Sequence, residues 1–251
     1  MGITQNIIES MTNPAQDHTI KRVQVGLIYS AVQLNNRAIG VAYTFPKGEH
    51  CGLDPLSSLK PLAGRKVSEV IPHLGGKNLV LSSIAMAALN ALLAAIELPK
   101  GAKPGDVLDN LDIRNGDRLC MVGCFLPLIP ALEKKKVQVV SVDERPKPGA
   151  RLAEEVEKLL PGSQIAIITA TAIINNTIDQ LLELAESCRE VAVLGPSTPL
   201  LKEAFSATPV SCLSGIRILE PGKVLQIIAE GGGFRGFKCY AQKLNLRLRK
   251  S

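Results

Sequence analysis

Three short apolar segments, each followed at once by a polar or glycine-bearing loop, constrain the fold of this chain more than any other feature. They lie at residues 119–122, 165–168 and 191–194. Uninterrupted apolar runs of this length are typical of strands in a parallel sheet that is buried on both faces. Because ligands bind beyond the carboxyl ends of the strands in an open α/β sheet, we expect the three following loops to converge on one site.

The first part of the chain predicts a small α+β layer. Residues 23–32 and 38–45 have strand composition, and the two asparagines at residues 35–36 suit a hairpin turn between them. The apolar helix predicted at residues 84–98 is too short to span a bilayer. It carries Asn90 in its middle, where a buried and unpaired amide would cost about 1–3 kcal/mol. We expect Asn90 to find its partner where the two parts of the chain meet.

The second part predicts a different architecture. The stretch rich in Pro and Gly at residues 99–105 is the best linker candidate, and beyond it predicted strands and helices alternate as far as residue 205. Such alternation is typical of right-handed βαβ units in a doubly wound sheet. We therefore predict an α/β protein with a small α+β domain at residues 1–105. A doubly wound, mostly parallel, Rossmann-like sheet follows at residues 106–251.

Composition limits which binding partners and which cellular compartment we expect. Aromatic residues make up 3% of the chain, with no Trp, which argues against surfaces that stack nucleic-acid bases. The net charge of +6 favours anionic partners in general. The six cysteines form no CxxC pair, and the first residues lack a signal-peptide pattern, so we expect a reduced, cytoplasmic protein. We expect no nucleic-acid and no membrane partner, and self-association into a homo-oligomer stays open.

A basic cluster near the C-terminus is the densest concentration of positive charge. We expect it to be a solvated tail, not a nucleic-acid surface, and it comprises Lys243, Arg247, Arg249 and Lys250.

The loop after the first apolar run takes the place of a dinucleotide-binding fingerprint. It has one glycine, Gly123, where that motif needs three, so ordinary NAD binding is disfavoured. Cys124 follows at the start of a predicted helix, a position where thiols are often reactive. Glu144, with Asp143, ends the next strand at the place of a ribose-binding acid. A ribose contact and a solvated turn are both compatible with that position.

The second loop is polar, and capping explains part of it. Thr177 with Gln180 fits a capping box at the start of a helix. Capping leaves Thr169, Asn175 and Asn176 without an explanation. We therefore regard these three residues as candidates for ligand contact.

The third loop has the same two interpretations. Thr198 before Pro199 fits an N-cap followed by proline at the first helical position. Gly195 would let the backbone approach a ligand closely, and Ser197 lies beside it. Three helix N-termini aimed at one crevice would favour an anion, whether phosphate, carboxylate or an anionic chelate. The predicted pocket therefore comprises Gly123, Cys124, Glu144, Thr169, Asn175, Asn176, Gly195, Ser197 and Thr198.

Five segments together resemble a two-domain family of unknown function that is associated with heavy-metal chelation. They span most of the chain in the same order and lie at residues 38–44, 84–91, 121–125, 175–179 and 195–200. The resemblance implies an N-terminal domain similar to that of enolase, a Rossmann-like C-terminal domain and a site between them that handles heavy metals or metal chelates. This chain departs from the family at Cys124, where members carry a histidine.

The leading hypothesis is therefore a protein that binds a heavy metal or an anionic metal chelate between its domains. Because the chain lacks a dense cluster of His, Cys and carboxylate ligands, we expect the metal to arrive already chelated. One alternative is a Rossmann-type enzyme that uses a nucleotide-like cofactor such as S-adenosylmethionine, with Glu144 on the ribose. The other is a non-catalytic scaffold. Whether the chain catalyses a reaction stays open.

Overall fold

The structure is a computed structural model that describes residues 2–45, 56, 59–143 and 150–248. These residues form a mixed α/β protein with a three-stranded antiparallel sheet and an eight-stranded, mostly parallel sheet. The fold class therefore agrees with the sequence prediction. Among the described residues, no helix combines the length and the apolar character needed to cross a membrane.

The small sheet and its helices occupy the first part of the chain. In chain order the elements are α1 Ile3–Gln16, β1 Ile20–Val25, β2 Tyr29–Leu34, β3 Ile39–Tyr43, α2 Val67–Val70, a 3-10 helix Ile71–His73 and α3 Leu79–Ala95. The predicted strand at residues 23–32 is wrong, because the chain reverses within it and forms β1 and β2. Gly26 donates its N–H to Tyr29 O across this turn (3.0 Å), and a glycine inside an apolar run often marks such a break.

Helix α3 lies directly on the small sheet. Its N-cap is Asn78, whose side chain accepts from Leu81 N (3.1 Å). Gly40 on β3 permits the close approach, since a Cβ there would lie 2.1 Å from Ala91 N. Asn90 donates to Val41 O at 3.0 Å and, across to the second part of the chain, to Ser197 O at 3.2 Å. The expectation that Asn90 pairs where the two parts meet is thus confirmed.

The large sheet occupies the second part. Its strands are β4 Lys103–Pro104, β5 Arg118–Val122, β6 Gln138–Asp143, β7 Ala150–Leu152, β8 Ile165–Thr169, β9 Glu190–Leu194, β10 Cys212–Ile218 and β11 Ala241–Arg247. Across the sheet they follow the order β4-β11-β10-β9-β8-β5-β6-β7, and the strands from β10 to β7 are parallel. Numbered from β5, these six strands stand in the order 3-2-1-4-5-6 of doubly wound sheets.

Helices and short 3-10 turns cover both faces of the large sheet. The helices are α4 Ile129–Lys134, α5 Val156–Leu159, α6 Thr171–Ile174, α7 Ile178–Leu184, α8 Pro221–Ala229 and α9 Phe234–Phe237. The 3-10 helices are Val107–Asn110, Leu126–Leu128, Ala153–Glu155, Lys202–Phe205 and Lys238–Tyr240. Leu119 and Met121 on β5 pack with Leu132 of α4, whereas Cys120 between them belongs to the core on the opposite face. The predicted burial of the strands on both faces is therefore observed.

Two sequence expectations fail at the far side of this sheet. Residues 103–104, in the stretch that resembled a linker, form the edge strand β4 beside β11. Lys243 and Arg247 lie in β11 and not in a solvated tail. Arg247 instead pairs with Glu190, which is buried in the sheet. Arg249 and Lys250 lie outside the described residues.

Candidate functional site

An open cavity of about 480 Å³ lies at the carboxyl ends of β5, β8 and β9. Strands β5 and β8 adjoin each other where the winding of the sheet reverses, which is the position at which doubly wound proteins bind ligands. The three predicted loops all reach this cavity. Six of the predicted site residues line it: Gly123, Cys124, Thr169, Asn175, Gly195 and Ser197.

The other three predicted residues do not contribute to the described lining. Asn176 has a left-handed backbone (φ 60°), and its Oδ1 accepts from Thr4 Oγ1 of α1 at 3.2 Å. Thr198 is buried behind the cavity, beside a small void next to Asn90. Glu144 lies outside the described residues. Asn176 therefore joins the two parts of the chain. This contact is a structural role for a residue that helix capping had left unexplained.

The capping interpretations are wrong. Thr177 has helical backbone angles (φ −100°, ψ −3°) in place of the extended ones that an N-cap needs, and its hydroxyl oxygen lies 2.8 Å from the amide of Asn175. No α-helix begins at Pro199, since residues 199–201 are irregular and a 3-10 turn begins at Lys202. Thr198 Oγ1 is buried and has no hydrogen-bond partner among the described residues.

The expected preference for an anion was based on three helix N-termini, and the structure does not provide them at the cavity. The helices near the cavity, α4, α6 and α7, have six, four and seven residues, and Cys124 lies in an irregular turn before them. The loop N–H groups already have acceptors, which are Val142 O for Gly123 (2.8 Å), Asp143 Oδ2 for Cys124 (3.1 Å), Ser214 O for Gly195 (3.0 Å) and Gly195 O for Thr198 (3.0 Å). These amides do not form an anion cradle.

An aromatic wall is the feature of the cavity that the sequence analysis missed. The chain has three Tyr, five Phe and no Trp, and four of these eight aromatic residues line the cavity: Tyr29, Tyr43, Phe45 and Phe125. The available signal was the aromatic pair at residues 43 and 45, at the end of a predicted strand in a chain otherwise poor in aromatics.

The rings of the wall meet at right angles. The Tyr29 and Tyr43 centroids are 6.2 Å apart with an interplanar angle of 89°, and those of Tyr43 and Phe45 are 5.1 Å apart at 89°. Edge-to-face packing of this kind is favourable because the positive edge of one ring meets the negative face of the next. Burial, with a smaller contribution from Tyr43, raises the pKa of Tyr29 far above its usual range. The Tyr29 hydroxyl therefore remains protonated.

The wall is held against the large sheet by direct hydrogen bonds. Tyr43 donates its backbone N–H to Ser197 Oγ at 2.9 Å, and Asn90 donates to Ser197 O. Ser82 of α3 donates to Ile174 O at 2.7 Å. Ser197, chosen from the sequence as a ligand candidate, thus sets the spacing between β3 and the loop after β9.

Polar side chains line the side of the cavity formed by the large sheet. Thr169 Oγ1 and Thr171 Oγ1 are 3.0 Å apart in a hydroxyl pair. Cys124 and Asp143 supply the two side chains of metal-ligating type in the described lining. Among the residues that the structure describes, no group of three or more His, Cys, Asp or Glu side chains could hold a metal ion.

The fold and the cavity together define a class of protein. It is a mixed α/β protein with a cavity large enough for a small molecule, at the position where the winding of its large sheet reverses. The family follows from the comparison with family models. The DUF364 model matches residues 106–247 and the DUF4213 model matches residues 8–93, and both carry the description "Putative heavy-metal chelation". The chain belongs to this family.

One relative and two solved structures have lengths similar to this chain, and the two solved structures share its fold. An uncharacterized protein of Methanocaldococcus jannaschii is 22% identical over 98% of this chain and 96% of its own length. A DUF364 protein of unknown function from Pyrococcus horikoshii has a TM-score of 0.85 at 23% identity, covering 98% of this chain and 100% of the other. A second such protein, from Desulfitobacterium hafniense, has a TM-score of 0.82 at 22% identity, with 97% and 98% covered.

Proposed function

We propose that this protein binds a heavy metal as a chelate and that the organic part of the chelate lies in the cavity between the small sheet and the large sheet. The observation that carries the proposal is the cavity itself. Its volume of about 480 Å³ is within the range of small-molecule sites, about 300–1,000 Å³. The description of the family as one of heavy-metal chelation supports a heavy metal as part of the ligand.

The nature of the lining favours a chelate over a bare ion. A structural zinc ion takes about four protein ligands, and calcium takes about six to eight oxygens. The described lining offers the Cys124 thiol and the Asp143 carboxylate, while aromatic, hydroxyl and amide groups make up much of the rest. These groups suit an organic molecule, whose own donor atoms would complete the coordination of the metal.

Calorimetric titration tests this function. The probes are free Ni²⁺, the anionic complex of Ni²⁺ with EDTA and the cationic complex of Ni²⁺ with 2,2′-bipyridine. We expect saturable one-to-one binding of at least one complex and weaker binding of free Ni²⁺. The comparison of the two complexes also decides whether the site prefers an anionic or a cationic chelate. The helix N-termini near the cavity give no reason to expect an anion.

A matched pair of substitutions locates the binding. Ala153 lines the cavity, whereas its neighbour Leu152 is exposed outside it. Ala153→Trp fills part of the cavity and should weaken binding of the complex about tenfold or more, since a drug-sized ligand buries most of its surface. Leu152→Trp should leave the affinity unchanged. Tight stoichiometric binding of free Ni²⁺ without binding of either complex, or equal affinities in both variants, would contradict the proposal.

A nucleoside-type cofactor is the second candidate, and the position of Asp143 favours it. Asp143 ends β6, the second strand in the order of the parallel sheet, and its side chain lines the cavity. An acid at that position binds the ribose hydroxyls in dinucleotide-binding folds. Under this candidate, Asp143 supplies the ribose contact that the sequence hypothesis assigned to Glu144, which lies outside the described residues.

Titration with S-adenosylmethionine separates this candidate from the first. Asp143→Asn keeps an oxygen that can accept from Cys124 N but removes the carboxylate, so binding should fall about tenfold or more if the ribose hydroxyls donate to it. Asp109→Asn makes the same change at an exposed position outside the lining and serves as the control. No detectable binding to the unmodified protein eliminates this candidate.

A further inference from the structure

The concentration of aromatic rings around the cavity indicates what kind of chelator it accepts. We propose that the site selects a flat aromatic ring and that the bound chelator carries one. The proposal rests on the proposed function, because it names the class of ligand for that same cavity.

The rings come from both parts of the chain. Tyr43 is the last residue of β3, Phe45 lies two residues beyond it, and Phe125 lies in the loop after β5. All three line the cavity, so a molecule inside it has aromatic neighbours on the small-sheet side and in a loop of the large sheet. Perpendicular rings such as Tyr43 and Phe45 offer a ligand ring one face for stacking and one edge for an edge-to-face contact.

A second layer of rings holds the wall in place. Tyr29 packs edge-to-face on Phe237, with centroids 5.4 Å apart, and Phe237 in turn packs on Phe234 at 5.5 Å. Phe237 is fully buried. Rings that are fixed before the ligand arrives lose little conformational entropy on binding. The wall is therefore preorganised for a rigid partner.

Unobstructed space at a glycine and nearby polar side chains also suit a flat ring with polar atoms at its edge. Gly195 has φ +130°, and no heavy atom lies within 4 Å of the position that its Cβ would take, so nothing obstructs the cavity there. The hydroxyl pair Thr169–Thr171 and the amide of Gln180 lie in the same lining. They can exchange hydrogen bonds with nitrogen or oxygen atoms at the edge of a ring, while the faces of the ring contact aromatic carbons.

A pair of complexes with equal charge isolates the contribution of the ring. The one-to-one Ni²⁺ complexes of 2,2′-bipyridine and of ethylenediamine share the metal, the two nitrogen donors and the charge, and differ in the aromatic rings. We expect the bipyridine complex to bind about tenfold or more tightly than the ethylenediamine complex. Phe125→Leu keeps an apolar side chain but removes a ring, and should weaken the bipyridine complex by about 2- to 10-fold.

Phe205→Leu is the matched control, because Phe205 is buried outside the cavity lining and makes none of the ring contacts described for the wall. It should leave the affinity for both complexes unchanged. If Phe125→Leu lowers the melting temperature, Phe45→Leu tests the same wall from the small sheet. Equal affinity for the two complexes, unchanged by these substitutions, overturns the ring proposal and leaves the proposed function standing. Binding of neither complex overturns the ring proposal, and it contradicts the proposed function as well if the Ni²⁺–EDTA complex also fails to bind.

Discussion

At the scale of single residues, the best-defined electrostatic feature is the pair formed by Glu190 and Arg247. Arg247 Nη1 and Nη2 donate to the two carboxylate oxygens of Glu190 at 2.7 and 3.1 Å, and Ser211 Oγ also donates to this carboxylate. Burial raises the pKa of Glu190, but the hydrogen bonds from Arg247, Ser211 and the Asp112 N–H, with the charge of Arg247, outweigh it and hold the pKa below its usual range. The pair joins the first residue of β9 to the last residue of β11, at the strand ends opposite those that form the cavity.

The lowered pKa predicts how stability depends on pH. A carboxyl group with a lower pKa in the folded state contributes stability above its unfolded pKa of about 4.3, and this contribution is lost as the pH falls through the folded value. Glu190→Gln should cost about 3 kcal/mol at pH 7, because it leaves Arg247 without its partner charge. Urea unfolding at pH 7 and pH 3 measures this. The cost should shrink at pH 3, and a cost that is equal at both pH values would contradict the prediction.

The sequence predicted correctly that some of the candidate residues lie at the cavity and missed the contacts of others, for a physical reason. Residues at strand ends must lie at one edge of the sheet, so Gly123, Thr169 and Gly195 reach the cavity. What a polar side chain does there depends on its nearest neighbours. Asn176 and Ser197 bond to the first part of the chain, and no local pattern in the sequence contains that information.

At the scale of elements, the contact between β3 and α3 decides how the small layer packs. A Cβ on Gly40 would lie within 2.5 Å of three backbone atoms, Ala91 N, Ala87 O and Asn90 C. Backbone atoms cannot rotate away as a side chain can, so the helix would have to move. Because Asn90 on the same helix also bonds to Val41 O and Ser197 O, such a movement would disturb the contact with the large sheet as well.

Gly40→Ala should therefore destabilise the protein by about 3 kcal/mol, at the upper end of the usual cost of overpacking. Gly222 provides the matched control, since it lies in α8 and its Cβ would meet no atom within 4 Å. Gly222→Ala should stabilise the protein by about 0.5–1 kcal/mol through helix propensity. Chemical denaturation of both variants gives the two values. Similar effects of the same sign would mean that the close packing of β3 on α3 does not determine the outcome.

Predictions of elements from the sequence were best where the pattern was long or strongly apolar. The buried strands β5, β8 and β9 fall where the sequence places them, and the apolar helix α3 exists as predicted but begins five residues earlier and ends three residues earlier than residues 84–98. The turn at Gly26 divided one predicted strand in two, and no cap formed at Thr177 because the chain enters α7 with helical backbone angles. Short-range signals of this kind yield to tertiary packing.

At the scale of the whole molecule, the sequence by itself determined the alternation of strands and helices, and with it the mixed α/β class and the sheet edge that carries the cavity. This follows because burial on both faces requires continuous apolar strands, and parallel strands end at one edge. Only the tertiary structure decided that the small sheet places Tyr29, Tyr43 and Phe45 over that edge and that Asn176 and Ser197 join the two parts. These contacts link residues more than a hundred positions apart, so their partners are set by how the two layers pack and not by any local pattern.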